Sequence, residues 1–157
     1  MEFHLKRFDE LSLDELYQLL KLRQDVFIIE QMCPFPDIDN LDQTSLHLWC
    51  QQGGKMLAYL RLLPPTSERP DVVSLGRVCS ALEARGGGYT RQLVQQGLQE
   101  LQQRFPQARC EIGAQSYLLA FYQRAGFQVF GEPYLEDGIP HRHMVCPLAQ
   151  WSPSTAQ

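Results

Sequence analysis

Three consecutive glycines, Gly86–Gly88, follow Arg85 in the stretch EARGGGYTRQLV. A glycine loses more conformational freedom on folding than any other residue. A turn between two elements rarely needs more than one. Such a run is either a slack surface loop or a place where the backbone must stay bare. Upstream, DVVSLGRVCS (71–80) reads as a strand. Downstream, Leu93, Val94, Leu98 and Leu101 keep helical spacing between Tyr89 and Arg104. The glycines therefore lead into the N-terminus of a long helix, where free N–H groups and a partial positive charge gather. Bare backbone lets an anion approach those groups, and Arg85 adds a charged donor. A phosphate cradle is the functional reading. A flexible loop with a surface arginine is the bland one, and the motif alone does not separate them.

The rest of the chain supplies a sheet. HLKRF (4–8) is a first strand. Ser12 with Glu15 forms a capping box, and Leu11 with Leu16 a hydrophobic staple. The helix they start is expected to run to about Gln31, where CPFP ends it. DIDNLDQT (37–44) is a polar loop. SLHLWCQ and KMLAYLRLL form a hairpin about Gly53-Gly54, and PPTSERP (64–70) is a loop. ARCEIGA (108–114) is a short strand. SYLLAFYQRAGF (116–127) is a helix stopped by Gly126. FQVFGE and HRHMVCPL are the last strands, and the polar tail after Pro147 is expected to fray. This order predicts an α+β or mixed α/β sheet domain.

The chain has 157 residues, a length that favours one domain, here 1–148 with 149–157 as a polar tail. With 44% hydrophobic and 20% charged residues it is globular, and a net charge of −4 argues against a general nucleic-acid binder. Five cysteines, an odd number without a CxxC, read as reduced thiols in a cytoplasmic protein. The N-terminus has no signal pattern, and no apolar run is long enough to span a membrane.

Two familiar phosphate motifs fail. A P-loop needs a Lys that the loop lacks. A dinucleotide fingerprint needs a third glycine where Arg91 stands, and it belongs after the first strand. Arg85-Gly86-Gly87-Gly88-Tyr89-Thr90, in contrast, resembles the R/Q-x-x-G-x-G/A signature of GCN5-related N-acetyltransferases. LGRVCSALEARGGG is similar to that family's central strand and loop. AQSYLLAFYQRAGF is similar to its next motif. LRQDVFIIEQMCPFPDID, AYLRLLPP and YLEDGIPHRHM resemble the ElaA-like subfamily, so the likeness runs to about residue 148. Thr90 stands where the signature ends in a small residue, and Leu82 where the family often has proline.

The resemblance implies a twisted, mostly antiparallel central sheet flanked by helices, and acetyl transfer from acetyl-CoA to a primary amine without a metal. Arg85, Gly86, Gly87, Gly88, Tyr89 and Thr90 would hold the pyrophosphate. Val78, Cys79 and Ser80 would pair with the pantetheine arm along a splayed strand edge, and Gln115 would contact the same arm. Tyr122 would be the general acid that reprotonates the leaving thiolate. The base is open among Glu30, His47, Glu111, Asp137 and His141, with Glu30 and His141 also expected to contact the acceptor. Acids in 30–42 (Glu30, Asp37, Asp39, Asp42) and in 132–137 (Glu132, Glu136, Asp137) suggest a cationic acceptor, a small molecule or a protein. A homodimer is left open. His141, His143 and Cys146 do not form a zinc site, because on a strand Cys146 points away from the two histidines. Two other classes stay in play: a silent acyl-CoA sensor, and an interaction domain whose glycine loop is merely slack.

Overall fold

The computed structural model describes residues 1–153. Its elements are β1 (Glu2–Arg7), α1 (Leu13–Arg23), β2 (Leu46–Gln52), β3 (Lys55–Leu63), β4 (Val72–Ser80), α2 (Tyr89–Arg104), β5 (Arg109–Gln115), α3 (Leu119–Ala125), β6 (Gln128–Glu136) and β7 (Ile139–Pro147). The strand order is β1-β2-β3-β4-β5-β7-β6. The pairings β1–β2, β2–β3, β5–β7 and β6–β7 are antiparallel, and β4–β5 is parallel through Val72↔Arg109 and Val73↔Cys110. This is the expected α+β class with a mostly antiparallel sheet. By its contacts the chain forms two compact units, Met1–Leu63 with Gly76–Leu93, and Pro64–Leu75 with the chain from Val94 onward.

In the first unit, Ser12 Oγ accepts from the Glu15 N–H at 3.0 Å, and the Glu15 carboxylate accepts from the Ser12 N–H at 2.8 Å. The helix so started buries Leu19, Leu22 and Val26 against Trp49, Met56, Tyr59 and Cys79, with Leu11 and Leu16 packed at the margin. Beyond Arg23 it widens into a π-helix over Gln24–Glu30, with Gln31 N–H bonded to Val26 O and Cys33 N–H to Ile28 O, each at 3.1 Å. The expected end near Gln31 is right, but the last turns are not α-helical. The wide turns keep Val26 buried and turn Ile29 out to solvent. Gly53 and Gly54 both take left-handed φ, +59° and +77°, as a two-residue hairpin turn requires.

In the second unit, β7 lies between β5 and β6, pairing Cys110↔Cys146, Gly113↔His143 and Gln115↔His141 on one side and Phe130↔His143 and Tyr134↔His141 on the other. The last two strands are longer than the sequence reading allows. They run through Glu136 and from Ile139, about a turn at Asp137 (φ +52°) and Gly138 (φ +76°). Asp-Gly is a strong hairpin signal that the reading passed over. Residues 116–118 form a 3-10 turn, so the α-helix before Gly126 (φ +115°) is only Leu119–Ala125. The tail does not fray where expected. Trp151 is buried and its indole N–H donates to Ala125 O at 2.8 Å, while the Gln102 amide donates to the carbonyls of Leu148 (2.6 Å) and Trp151 (2.7 Å). One large aromatic outweighs its polar neighbours. Residues 154–157 of the expected tail lie outside the described residues.

Candidate functional site

The glycine loop has the geometry of an open cradle. Gly86 and Gly88 take left-handed φ, +86° and +78°. A Cβ at Gly87 would lie 2.6 Å from Tyr89 Cε2. The Gln92 N–H donates to Gly88 O at 3.1 Å, so Gly88 caps α2, and the N–H groups of the first turn lack intrahelical acceptors. Tyr89 and Thr90 sit half-buried in that turn. Arg85 Nη2 donates to Glu30 Oε1 at 2.8 Å and to Ser80 O at 3.0 Å. The fold thus brings Glu30, Ser80, Arg85 and the glycines together. Exposed glycine backbone, a helix N-terminus and a half-exposed guanidinium suit an anion such as a pyrophosphate.

Just upstream, the Cys79 side chain lies in the core, where burial pushes its thiol up, while Val78 and Ser80 are half-buried. Any contact of Cys79 with a ligand therefore falls to its backbone. Arg77 stands left-handed at φ +53°, a conformation that costs a non-glycine residue about 1–3 kcal/mol. Asp37 and Asp39 hold it there. Arg77 Nε lies 2.8 Å from Asp37 Oδ1, and Nη2 reaches Asp37 O at 3.0 Å and Asp39 Oδ2 at 3.3 Å.

These contacts belong to a charge network that sequence reasoning missed. The fully buried Arg23 donates to Asp37 Oδ2 (2.8 Å) and Asp42 Oδ1 (2.7 Å). Arg61, also buried, donates through Nη1 to Asp42 Oδ1 and Asp39 Oδ1, both at 2.9 Å. Burial pushes Asp42 up, but the hydrogen bonds and charges of Arg23 and Arg61 outweigh it and hold the carboxyl below its usual range. The hydrogen bond from Arg61 takes Asp39 down to about 2. The expected acidic rim over 30–42 is therefore corrected: Asp37, Asp39 and Asp42 are neutralised by three arginines, and Glu30 by Arg85. The available signal was arginine inside apolar patterns, Arg61 within AYLRLL and Arg23 beside Leu22. An arginine is almost never fully buried without acid partners.

His47 is not the base either. It is fully buried, its Nδ1 accepts from the Tyr59 hydroxyl at 2.6 Å, and its Nε2–H donates to Asp42 O at 2.9 Å. Burial pushes its pKa down, and no ring nitrogen is left for a substrate.

The second unit places Gln115 directly across from His141, with Tyr134 opposite on the other side. His141 Nδ1 lies 2.7 Å from Ile139 O, and Nε2 lies 3.3 Å from Glu136 Oε2. Tyr134 tilts over His141 with centroids 5.6 Å apart and stacks on His143 at 4.4 Å. Tyr134 needs Gly113, since a Cβ there would collide with its hydroxyl. Tyr122 is buried between Phe121 and Phe127 in edge-on contacts of 5.0 and 5.8 Å. Burial, then the neighbouring Tyr117 and Cys110, push its phenol up, so it holds its proton at neutral pH. Burial pushes Glu111 up, but hydrogen bonds from Arg109 (2.7 Å) and Arg69 (2.9 Å) win and hold it low, which makes it a poor base. Asp137 is exposed in its hairpin turn. Among the described residues, no three His, Cys, Asp or Glu side chains cluster to hold a metal, and no helix is long and apolar enough to cross a membrane.

Comparison with known proteins identifies the family and the fold. A family model described as an acetyltransferase (GNAT) domain matches residues 28–148. Protein ElaA of Escherichia coli is 38% identical over 143 residues, 90% of this chain and 93% of that protein. A UPF0039 protein of Schizosaccharomyces pombe is 38% identical over 146 residues, 92% of this chain and 95% of its own. The crystal structure of an acyl-CoA N-acyltransferase from Pseudomonas aeruginosa superposes with a TM-score of 0.87 at 41% identity, covering 92% of this chain and 98% of that one. That of ElaA gives 0.86 at 36% identity, covering 92% and 98%.

Proposed function

Because this chain belongs to the acetyltransferase (GNAT) domain family, with ElaA-like relatives, we propose that it transfers the acetyl group of acetyl-CoA to a primary amine. Acyl transfer from an acyl-CoA is its reaction class. The observation that carries the finer reading is the glycine loop: two left-handed glycines and a helix N-terminus beside Arg85. On this reading Arg85, the backbone of Gly86–Gly88, Tyr89 and Thr90 hold the pyrophosphate. Backbone groups of Val78, Cys79 and Ser80, with Gln115, hold the pantetheine arm, and residues 1–148 act as one catalytic domain. Acetyl-CoA supplies an acyl group activated enough for direct attack by the amine.

Tyr122 is the proton donor to the thiolate in this account. A phenol near 10 facing a thiol near 8.5 gives up its proton at a cost of about 2 kcal/mol, and burial of Tyr122 adds to that. A thiolate departing into the same dry surroundings gains proton affinity too, so donor and acceptor move together. The acceptor is a cationic amine. The exposed acids Glu132, Glu136 and Asp137 support this, whereas the neutralised segment 37–42 does not. All five cysteines are free thiols, which suits a cytoplasmic enzyme.

The test is thiol release from acetyl-CoA across a panel of primary amines. Tyr122→Phe is expected to lower kcat by about a hundredfold or more while leaving acetyl-CoA affinity unchanged. Equal turnover by wild type and variant removes Tyr122 from the account. No turnover with any amine, with acetyl-CoA still bound, makes the protein an acyl-CoA-binding module.

A further inference from the structure

We propose that His141 and Glu136 form a binding site for the primary ammonium group of the acceptor, in which His141 Nε2 takes the proton that frees the amine. The proposal deepens the acetyltransferase reading and rests on it for the identity of the overall reaction.

The geometry starts from His141 Nδ1. It lies 2.7 Å from a backbone carbonyl oxygen, Ile139 O, which only accepts. Nδ1 must therefore carry the hydrogen, and in the neutral ring the lone pair falls on Nε2. A carboxylate oxygen, Glu136 Oε2, lies 3.3 Å from that nitrogen. Two acceptors thus stand side by side. The arrangement is satisfied when a proton sits on Nε2, or when a group with several N–H donors serves both. A primary ammonium has three such donors and a matching charge.

The surroundings favour that occupant. The His141 side chain is 7% exposed and Glu136 61%, so the pair opens to solvent on the Glu136 side and is dry on the other. Tyr134 covers one face of the imidazole, and Gln115 stands opposite it across the β5–β7 ladder. The other titratable groups around it are the Tyr134 phenol, His143 stacked on Tyr134, and exposed Asp137 in the turn. An aromatic ring beside two acceptors is a surface that attracts a cation. The proton step balances simply. The ammonium N–H bond breaks, its electron pair stays on nitrogen as the nucleophile's lone pair, and the Nε2 lone pair takes the proton. The imidazolium then donates to Glu136 and passes the proton to water on the exposed side.

The experiment uses the full chain labelled with 15N, its four histidines read by long-range proton–nitrogen spectra. The probe is n-butylammonium chloride, with tetramethylammonium chloride as a cation without N–H. The proposal expects neutral His141 to carry its hydrogen on Nδ1, and n-butylammonium to shift Nε2 saturably while tetramethylammonium does not. Glu136→Gln, a change at an exposed position that leaves the fold in place, is expected to weaken the saturable shift about tenfold. A neutral tautomer with the hydrogen on Nε2 overturns the proposal. So does an equal response to both cations, or an unchanged response in Glu136→Gln. Acetyl-CoA binding is measured separately. If ammonium titrates His141 and acetyl-CoA fails to bind, the site stands and the acetyltransferase reading falls.

Discussion

Arg85 has two anions competing for it. It bonds Glu30, and the proposed function requires it to bond a phosphate. Both side chains are more than a third exposed, where an ion pair is worth only about 0.2–1 kcal/mol. A phosphate therefore wins easily, but Glu30 still exacts a cost. Glu30→Gln is expected to tighten acetyl-CoA binding by about two- to fivefold, read as a lower Kd; a weaker affinity would make Glu30 a partner of the ligand instead. The buried aspartates behave differently. Asp42 is shared by two buried arginines, so Asp42→Ala leaves the buried network with one uncompensated positive charge and is expected to cost about 3–5 kcal/mol of unfolding free energy in urea. Asp39 gives a pH signature. Its carboxyl, lowered to about 2 by Arg61, contributes stability that is complete above the unfolded value of about 3.9. That contribution is lost as pH falls from about 4 toward 2. Urea midpoints followed over that window should drop, and Asp39→Asn should flatten the drop.

At the scale of elements, α3 shows how a short helix is kept in place. Its seven residues are too few to be stable alone. Gly126 ends it at φ +115°, and Trp151 packs so closely on that glycine that a Cβ would lie 2.9 Å from its ring. Trp151→Ala removes this packing and the bond to Ala125, and is expected to lower unfolding free energy by about 3–5 kcal/mol. Calorimetric melting checks it; an unchanged Tm would mean that the tail is not part of the fold. The glycine stop was legible because φ > 0 leaves a chemical mark in the sequence. So was the start of α1, where Ser12 and Glu15 satisfy each other locally. The role of Trp151 was not legible, since its partner Ala125 lies 26 residues away.

The same distinction runs through the whole molecule. Sheet class, the Gly53-Gly54 hairpin and the glycine loop are written in contiguous residues, and so were readable. The network of Arg23, Arg61 and Arg77 with Asp37, Asp39 and Asp42 is made by pairing distant segments, so the aspartates looked like free surface acid. Likewise Gln115 and His141 become neighbours only through the β5–β7 register. The central claim rests on the part that was contiguous, the bare backbone at Gly86–Gly88. Its most direct test is a calorimetric titration of the full chain with acetyl-CoA, with NAD and ATP as controls. The account predicts saturable micromolar binding of acetyl-CoA alone. No binding of acetyl-CoA, or equal binding of NAD, would contradict it.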